Sequence, residues 1–201
     1  MREPSILLFD LGAVLIDISF DRVFASWSEA GNRSAADLKA RFSMEASYEA
    51  HERGHIHSTE YWQALRNLLG LDLSDHDFER GWNEVFQGEI TEVTGLLPQL
   101  DLPLYVFSNT NRVHQDRFES AYADALTPFH AVFTSNDLGE RKPDAAAFEK
   151  VAEATDTPLS QILFFDDSPK NIAGAEAVGM QTCHVTDPTV VRPELERRGM
   201  L

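Results

Sequence analysis

The chain has 201 residues, enough for one α/β domain with a modest insertion and too few for two large domains. Hydrophobic residues make up 43% and aromatic residues 10%, so the chain can bury a real core and is not a disordered segment. A net charge of -16 argues against nucleic acid and anionic membranes as partners, and any bound anion needs a local Lys, metal ion or helix N-terminus.

Arg2 and Glu3 precede an apolar stretch far too short for a signal peptide, and no apolar run approaches the roughly 20 residues of a membrane span. Cys183 is the single cysteine, which excludes an intrachain disulfide and points to a reducing compartment. The expected setting is cytoplasmic. Cys183 lies in a strand-like stretch, Met180–Val185, and is expected to be a small buried hydrophobe.

Residues 5–10 read as a buried strand. Its apolar run, Ile6-Leu7-Leu8-Phe9, ends on Asp10 and leads into Leu11-Gly12-Ala13-Val14. A carboxylate at a buried strand's end, ahead of a glycine turn, lies where open α/β sheets place their reacting groups. From about 19 to 88 the pattern is helical and no strand is expected. Phe20, Val23, Phe24 and Trp27 repeat at helical spacing up to Gly31. Leu38, Phe42 and Tyr48 follow. Ser58 is placed to cap a helix carrying Tyr61, Trp62, Leu65, Leu68 and Leu69, closed by Gly70. Ser74, with Asp77 three residues on, is placed to cap another, with Phe78, Trp82, Val85 and Phe86 on one face. The three Trp residues of this block read as its core.

Beyond residue 90 the texture changes. Thr91 is placed to cap a helix through Leu100, and strands are expected at 104–107, 131–133, 162–165 and 181–185. Helices separate them, notably Asp144 to Thr155 with Phe148, Val151 and Ala152 on one face. This alternation implies a parallel, doubly wound, Rossmann-like α/β sheet. The core is expected over 1–15 and 89–201, with a helical subdomain inserted over 16–88.

Three strand ends terminate in polar groups that the topology should bring to one edge of the sheet. They are Asp10, Ser108-Asn109-Thr110-Asn111, and Asp166-Asp167-Ser168. Between the last two lies the loop Gly139-Glu140-Arg141-Lys142-Pro143-Asp144. Singly these are ordinary. Together they supply a nucleophile, a hydroxyl and amide for an anion, a fixed cation, and paired acids suited to Mg²⁺.

Four motifs in order, Phe9–Leu15, Phe107–Thr110, Arg141–Asp144 and Phe165–Asn171, resemble those of the haloacid dehalogenase superfamily of aspartate-nucleophile hydrolases. The resemblance spans about residues 5–185. The stretches Phe9–Asp17, Phe107–Arg112, Asp137–Pro143 and His51–Gly54 are similar to a bacterial glucose-1-phosphatase branch of that superfamily. The resemblance implies a helical cap, Asp10 as the nucleophile, Ser108 and the amides after it on the phosphate oxygens, Asn109 orienting the substrate, and Lys142 neutralising charge on Asp10 and on the transferring phosphoryl group. It also implies Mg²⁺ on Asp10, the Gly12 carbonyl and Asp167, with Asp166 either a direct ligand or an outer partner, and Asn171 pinning the fourth motif. The implied partner is a small phosphorylated metabolite. No feature fixes an oligomeric state.

Most phosphatases of the superfamily carry a second Asp two residues after the nucleophile, where this chain has Gly12. That acid would protonate the leaving oxygen. Three readings follow. One is a phosphatase for assisted leaving groups, such as a sugar hemiacetal oxygen, with Asp17 or a cap His substituting for the acid. The second is a 2-haloacid dehalogenase-like enzyme, against which Asp166-Asp167 stands. The third is a low-turnover regulatory protein. Cap residues placed to read the substrate are Arg22, Glu45, His51, Glu52 and Arg53.

Overall fold

The computed structural model describes residues 3–201. The chain enters on β1 (Ile6–Phe9), turns tightly, and continues into β2 (Ile16–Ile18). Five helices follow: α1 (Phe20–Ala30), α2 (Ala35–Arg41), α3 (Ala46–Glu52), α4 (Ser58–Leu69) and α5 (Asp75–Asn83). β3 (Phe86–Glu89) returns antiparallel to β2, so a two-stranded ribbon connects the helical block to the rest. This corrects the expectation of an uninterrupted helical block. Phe86 leaves the helix because its segment pairs with β2, and its ring packs against His114 and Phe118.

The remaining elements alternate. They are α6 (Thr91–Thr94), β4 (Leu104–Ser108), α7 (Arg112–Ala121), α8 (Ala123–Leu126), β5 (Ala131–Thr134), α9 (Ser135–Leu138), α10 (Ala145–Ala154), β6 (Ile162–Asp166), α11 (Pro169–Ala177), β7 (Gln181–His184) and α12 (Val191–Arg197). The main sheet is parallel, in the order β5-β4-β1-β6-β7. Its central strands are apolar on both faces, as burial between two helical layers requires. Strand order reverses around β1, so the crevice at the C-terminal ends of β1, β4 and β6 is where such a sheet takes a ligand.

Several cap positions differ from expectation. His57, not Ser58, is the N-cap of α4, accepting from Thr59 N at 3.4 Å while Glu60 accepts from His57 N at 3.2 Å. Thr91 is the first residue of α6 rather than its cap, and that helix stops at Thr94, before Gly95 and Pro98. Ser74 caps α5 as expected, accepting from Asp77 N. Cys183 is half-buried at the edge strand β7, rather than fully buried, and burial pushes its thiol up to about 11.

The helical block has its own core. Trp27 and Trp82 stack with centroids 5.8 Å apart, and Trp62 stacks on Phe78 at 5.9 Å. Where this core meets α7, His114 stacks on Trp82 at 4.8 Å and donates from Nε2 to the Trp82 carbonyl at 3.0 Å. Burial pushes His114 down to about 3 and His51 down to about 4. Both lie below the unfolded value, so their stabilising effect is complete above about pH 6.5 and is lost as pH falls toward the folded values. From pH 7.5 to 5.0 each histidine should remove about 2 kcal/mol. In urea unfolding, His114→Gln should therefore lose about 2 kcal/mol less stability than the wild type over that interval. Carboxylates common to both proteins cancel in the comparison. Equal losses in the two proteins would mean that His114 is not the proton acceptor.

Candidate active site

Asp10 follows β1 directly, and its backbone N–H donates to the Phe165 carbonyl at 2.8 Å, fixing it between β1 and β6. Its Oδ1 accepts from Leu11 N at 2.8 Å and from Lys142 Nζ at 2.8 Å. Both bonds fall on the same oxygen, and Oδ2 is engaged by neither.

Lys142 is fully buried, and its ammonium has three acceptors for its three donors. These are Asp10 Oδ1, Asp166 Oδ2 at 2.7 Å and the Phe107 carbonyl at 2.8 Å. Phe107 and Phe164 flank the Nζ with ring centroids at 5.2 Å. Burial alone would lower the Lys142 pKa, but Asp10 and Asp166 outweigh it and the pKa is raised. The group is a permanent cation. Asn109 grips the same residue, donating from Nδ2 to the Lys142 carbonyl at 2.8 Å and accepting from Lys142 N at 2.9 Å. The Asn109 side chain therefore holds Lys142.

The three carboxylates Asp10, Asp166 and Asp167 bring oxygens within 4.8 Å of one another. Burial is the first cause that raises Asp10, to about 7, with Asp166 and Asp167 adding to it against Lys142. Asp167 is raised too, by burial of its carboxylate and by Asp166. One buried cation among three acids leaves negative charge uncompensated, and an all-oxygen donor set of this kind fits a hard divalent cation. The Gly12 carbonyl belongs to the same turn. Asp166 is already engaged by Lys142, by Ser168 N at 2.8 Å and by Asn171 Nδ2 at 3.0 and 3.1 Å. That suits an outer partner better than a direct ligand.

Asp10, Gly12, Ser108, Asn109, Lys142, Asp167 and Asn171 all border one cavity of about 130 Å³. Its opposite wall is largely apolar, with Ile18, Phe20, Val85 and Phe86, and it includes Tyr48 and Glu52. Of the cap residues singled out from sequence, only Glu52 reaches this cavity. Arg22 borders a separate hollow, and His51 is buried against Tyr61 with Nε2 3.1 Å from Ser58 Oγ. Asp17 is exposed and borders a neighbouring groove with Glu89 and Asp187, which adjoins the site at Asp167. The sequence pattern places Tyr48 in the helical block and assigns it no role at the site. The signal was there, because Tyr48 and Glu52 at i and i+4 share a helix face.

Helix α3 also grips the loop that carries Lys142. Arg141 pairs with Glu52 at 2.8 Å and Glu49 at 3.2 Å, while Arg53 pairs with Glu140 at 2.9 Å and with Asp144. Ser135 Oγ lies 2.7 Å from the Glu52 carbonyl oxygen. At Gly54, with φ +66°, an added Cβ would come within 2.7 Å of the Asn136 carbonyl, so this approach requires glycine.

A family model described as haloacid dehalogenase-like hydrolase matches residues 4–179. The chain belongs to the haloacid dehalogenase-like hydrolases. It is 24% identical to a D-ribitol-5-phosphate phosphatase of Bacteroides thetaiotaomicron, over 94% of this chain and 95% of that one. It is 29% identical to a sesquiterpene phosphatase of Aspergillus oryzae, over 94% of each chain. Among solved structures, a haloacid dehalogenase family enzyme from B. thetaiotaomicron, in complex with magnesium and inorganic phosphate, superposes with a TM-score of 0.77 at 25% identity. That match covers 90% of this chain and 93% of the other. The superfamily resemblance and the parallel-sheet fold are thereby established; the relatives named here are a polyol-phosphate and a sesquiterpene phosphatase, not a glucose-1-phosphatase. The four motif segments occupy the ends of β1, β4 and β6 and the α9–α10 loop.

Proposed function

We propose that this hydrolase is a Mg²⁺-dependent phosphomonoesterase acting through an aspartyl-phosphate intermediate. The observation that carries the reading is the Asp10–Lys142–Asp166 arrangement, in which one oxygen of Asp10 is pinned by two donors and the other is engaged by neither. Asp10 Oδ2 attacks phosphorus, the P–O bond to the leaving group breaks, and water then hydrolyses the acyl phosphate to regenerate Asp10. Ser108 Oγ and backbone amides at the end of β4 hold phosphoryl oxygens. Lys142 keeps Oδ1 in place and opposes the negative charge that collects around the transferring group. Asp10, the Gly12 carbonyl and Asp167 would hold the magnesium ion, which when bound supplies further positive charge against the phosphate. Asp166 and Asn171 keep the β6 end in register.

Helices α1–α5 serve as the cap. The substrate is a small sugar or polyol phosphate, with glucose 1-phosphate favoured. A cavity of about 130 Å³ supports a small leaving group, since drug-sized ligands occupy about 300–1,000 Å³. Gly12 supports a leaving oxygen that departs with little protonation. The single cysteine fits a cytoplasmic setting.

The test is a panel of sugar and nucleotide phosphates plus 2-chloropropionate, assayed with and without Mg²⁺. Phosphate release only with Mg²⁺ is expected. Chloride release without metal would establish a dehalogenase instead. Gly12→Asp probes the absent acid directly. The three atoms nearest an added Cβ all belong to Ile18, with the terminal Cδ1 at 3.0 Å, so that methyl group must give way by a few tenths of an ångström. Activity on unactivated alkyl phosphates should rise by at least about tenfold, the modest end of what a positioned acid contributes. A fall would mean that the site is built around the absence of that carboxyl.

A further inference from the structure

The cavity wall facing the sheet edge is apolar apart from two side chains on α3, Tyr48 and Glu52. His114 also borders the cavity, but its Nε2 bonds the Trp82 carbonyl and its Nδ1 lies 3.3 Å from Asn111 Nδ2, so neither ring nitrogen is available to a ligand. Glu52 is only 4% exposed. Its Oε2 accepts from Arg141 Nε at 2.8 Å, and the Tyr48 hydroxyl donates to the same carboxylate. It makes no hydrogen bond to Asp10, Ser108 or Lys142, so it stands outside the phosphoryl-transfer machinery. A carboxylate has about four acceptor positions, and these two donors leave about two. Bordering a small cavity, those positions require donors from whatever fills it.

We infer that the Glu52–Tyr48 pair reads hydroxyl groups on the leaving group, selecting sugar and polyol phosphates over hydrocarbon phosphates. The inference rests on the phosphomonoesterase reading above and names what that site discriminates. Substrate hydroxyls donate to the open lone pairs of Glu52 and to the Tyr48 oxygen, whose own proton is already given to Glu52. A hydrocarbon chain leaves the carboxylate without partners after water is displaced. Sites built to bond a substrate hydroxyl reject analogues lacking it far more strongly than apolar pockets reject an added methylene. The lining of Phe20, Ile18 and Phe86 suits the C–H face of such a polyol.

The test compares ribitol 5-phosphate with n-pentyl phosphate, which share chain length and a primary alkoxide leaving group and differ in hydroxyls. The wild type should favour ribitol 5-phosphate in kcat/KM by about 10²-fold or more. Glu52→Gln should lower that ratio at least about tenfold, chiefly through KM, because ground-state binding is what is lost. Tyr48→Phe removes only a hydroxyl, leaves the Arg141 pairing intact, and should shift the ratio in the same direction. It decides the matter if Glu52→Gln does not fold. Inhibition by inorganic phosphate, which reports on the Ser108 and Lys142 end, checks that the site is intact in both variants. Parallel loss on both substrates would mean that Glu52 moves a proton or merely holds the Arg141 loop, and would overturn the inference. An unchanged ratio would overturn it as well. A wild type that hydrolyses neither of these substrates nor glucose 1-phosphate would instead remove the phosphomonoesterase reading, and the inference with it.

Discussion

Asp10→Asn should lower kcat by about 10⁴-fold or more while making the metal-free protein more stable. The activity loss follows from removal of the attacking oxygen. The stability gain follows from the sign of the Asp10 shift. Burial pushes its folded pKa up to about 7, above the ordinary carboxylate value of 3.8, so folding disfavours the ionised form. The resulting penalty grows as pH rises from about 4 and is complete above about 7. At pH 8 its full release would be worth about 4 kcal/mol. That figure already includes the attraction of Lys142 at 2.8 Å, and an asparagine side chain meets the donors around Oδ1 less well than the acid does, so the expected net gain is about 1–2 kcal/mol. Urea unfolding in EDTA and steady-state assays in Mg²⁺ measure the two effects separately. Activity retained above background would remove the nucleophile assignment. A loss of stability would show that the ion pair outweighs the crowding of acids.

Lys142→Met should be the most destabilising single change in the site. It replaces a fully buried ammonium with a side chain of similar length and leaves Asp10 and Asp166 without their cation and the Phe107 carbonyl without its donor. Removing one partner of a buried pair typically costs about 3–5 kcal/mol. The loss in kcat should reach about 10²–10³-fold, as for other electrostatic groups aimed at a developing charge. Lys142→Arg should not rescue either property, because a planar guanidinium cannot meet three acceptors gathered around one nitrogen. The charge argument has its own control. Asp10→Asn should gain more stability in the Lys142→Met background than in the wild type, since there it removes a stranded acid. Equal gains in the two backgrounds would mean that Lys142 supports the fold through packing rather than charge.

The sheet and the strand-end residues were legible because both are local patterns that a simple rule makes global. Short apolar runs at 6–9, 104–107 and 162–165 can only be buried strands in a chain that alternates with helices. A parallel sheet then carries their polar followers to one edge. The β2–β3 ribbon was not legible, because Ile16-Asp17-Ile18 and Phe86-Gln87-Gly88-Glu89 are too short to show a period and earn their strand geometry from each other. The pairing of Glu52 with Arg141 was hidden for a different reason. It joins residues 89 apart in sequence, and nothing local marks Glu52 as facing inward while its neighbour Arg53 turns to Glu140 and Asp144. Asn109 shows the same limit, since its position at a strand end was plain but its grip on the Lys142 backbone was not.

The ion pairs between α3 and the 140–144 loop bear on how this protein can be recombined. With helices α1–α5 as the proposed cap, substrate range would be altered most simply by exchanging that helical block as a cassette. Here the cassette and the loop are a matched set, with Glu49, Glu52 and Arg53 on one side answering Arg141, Glu140 and Asp144 on the other. A foreign cassette would arrive without acids for Arg141 and without a base for Glu140 and Asp144. It would also leave Lys142 supported from the sheet side alone. A chimaera should therefore lose turnover on every substrate until the 140–144 loop is transplanted with it, so the unit of inheritance for specificity is two segments distant in sequence rather than one.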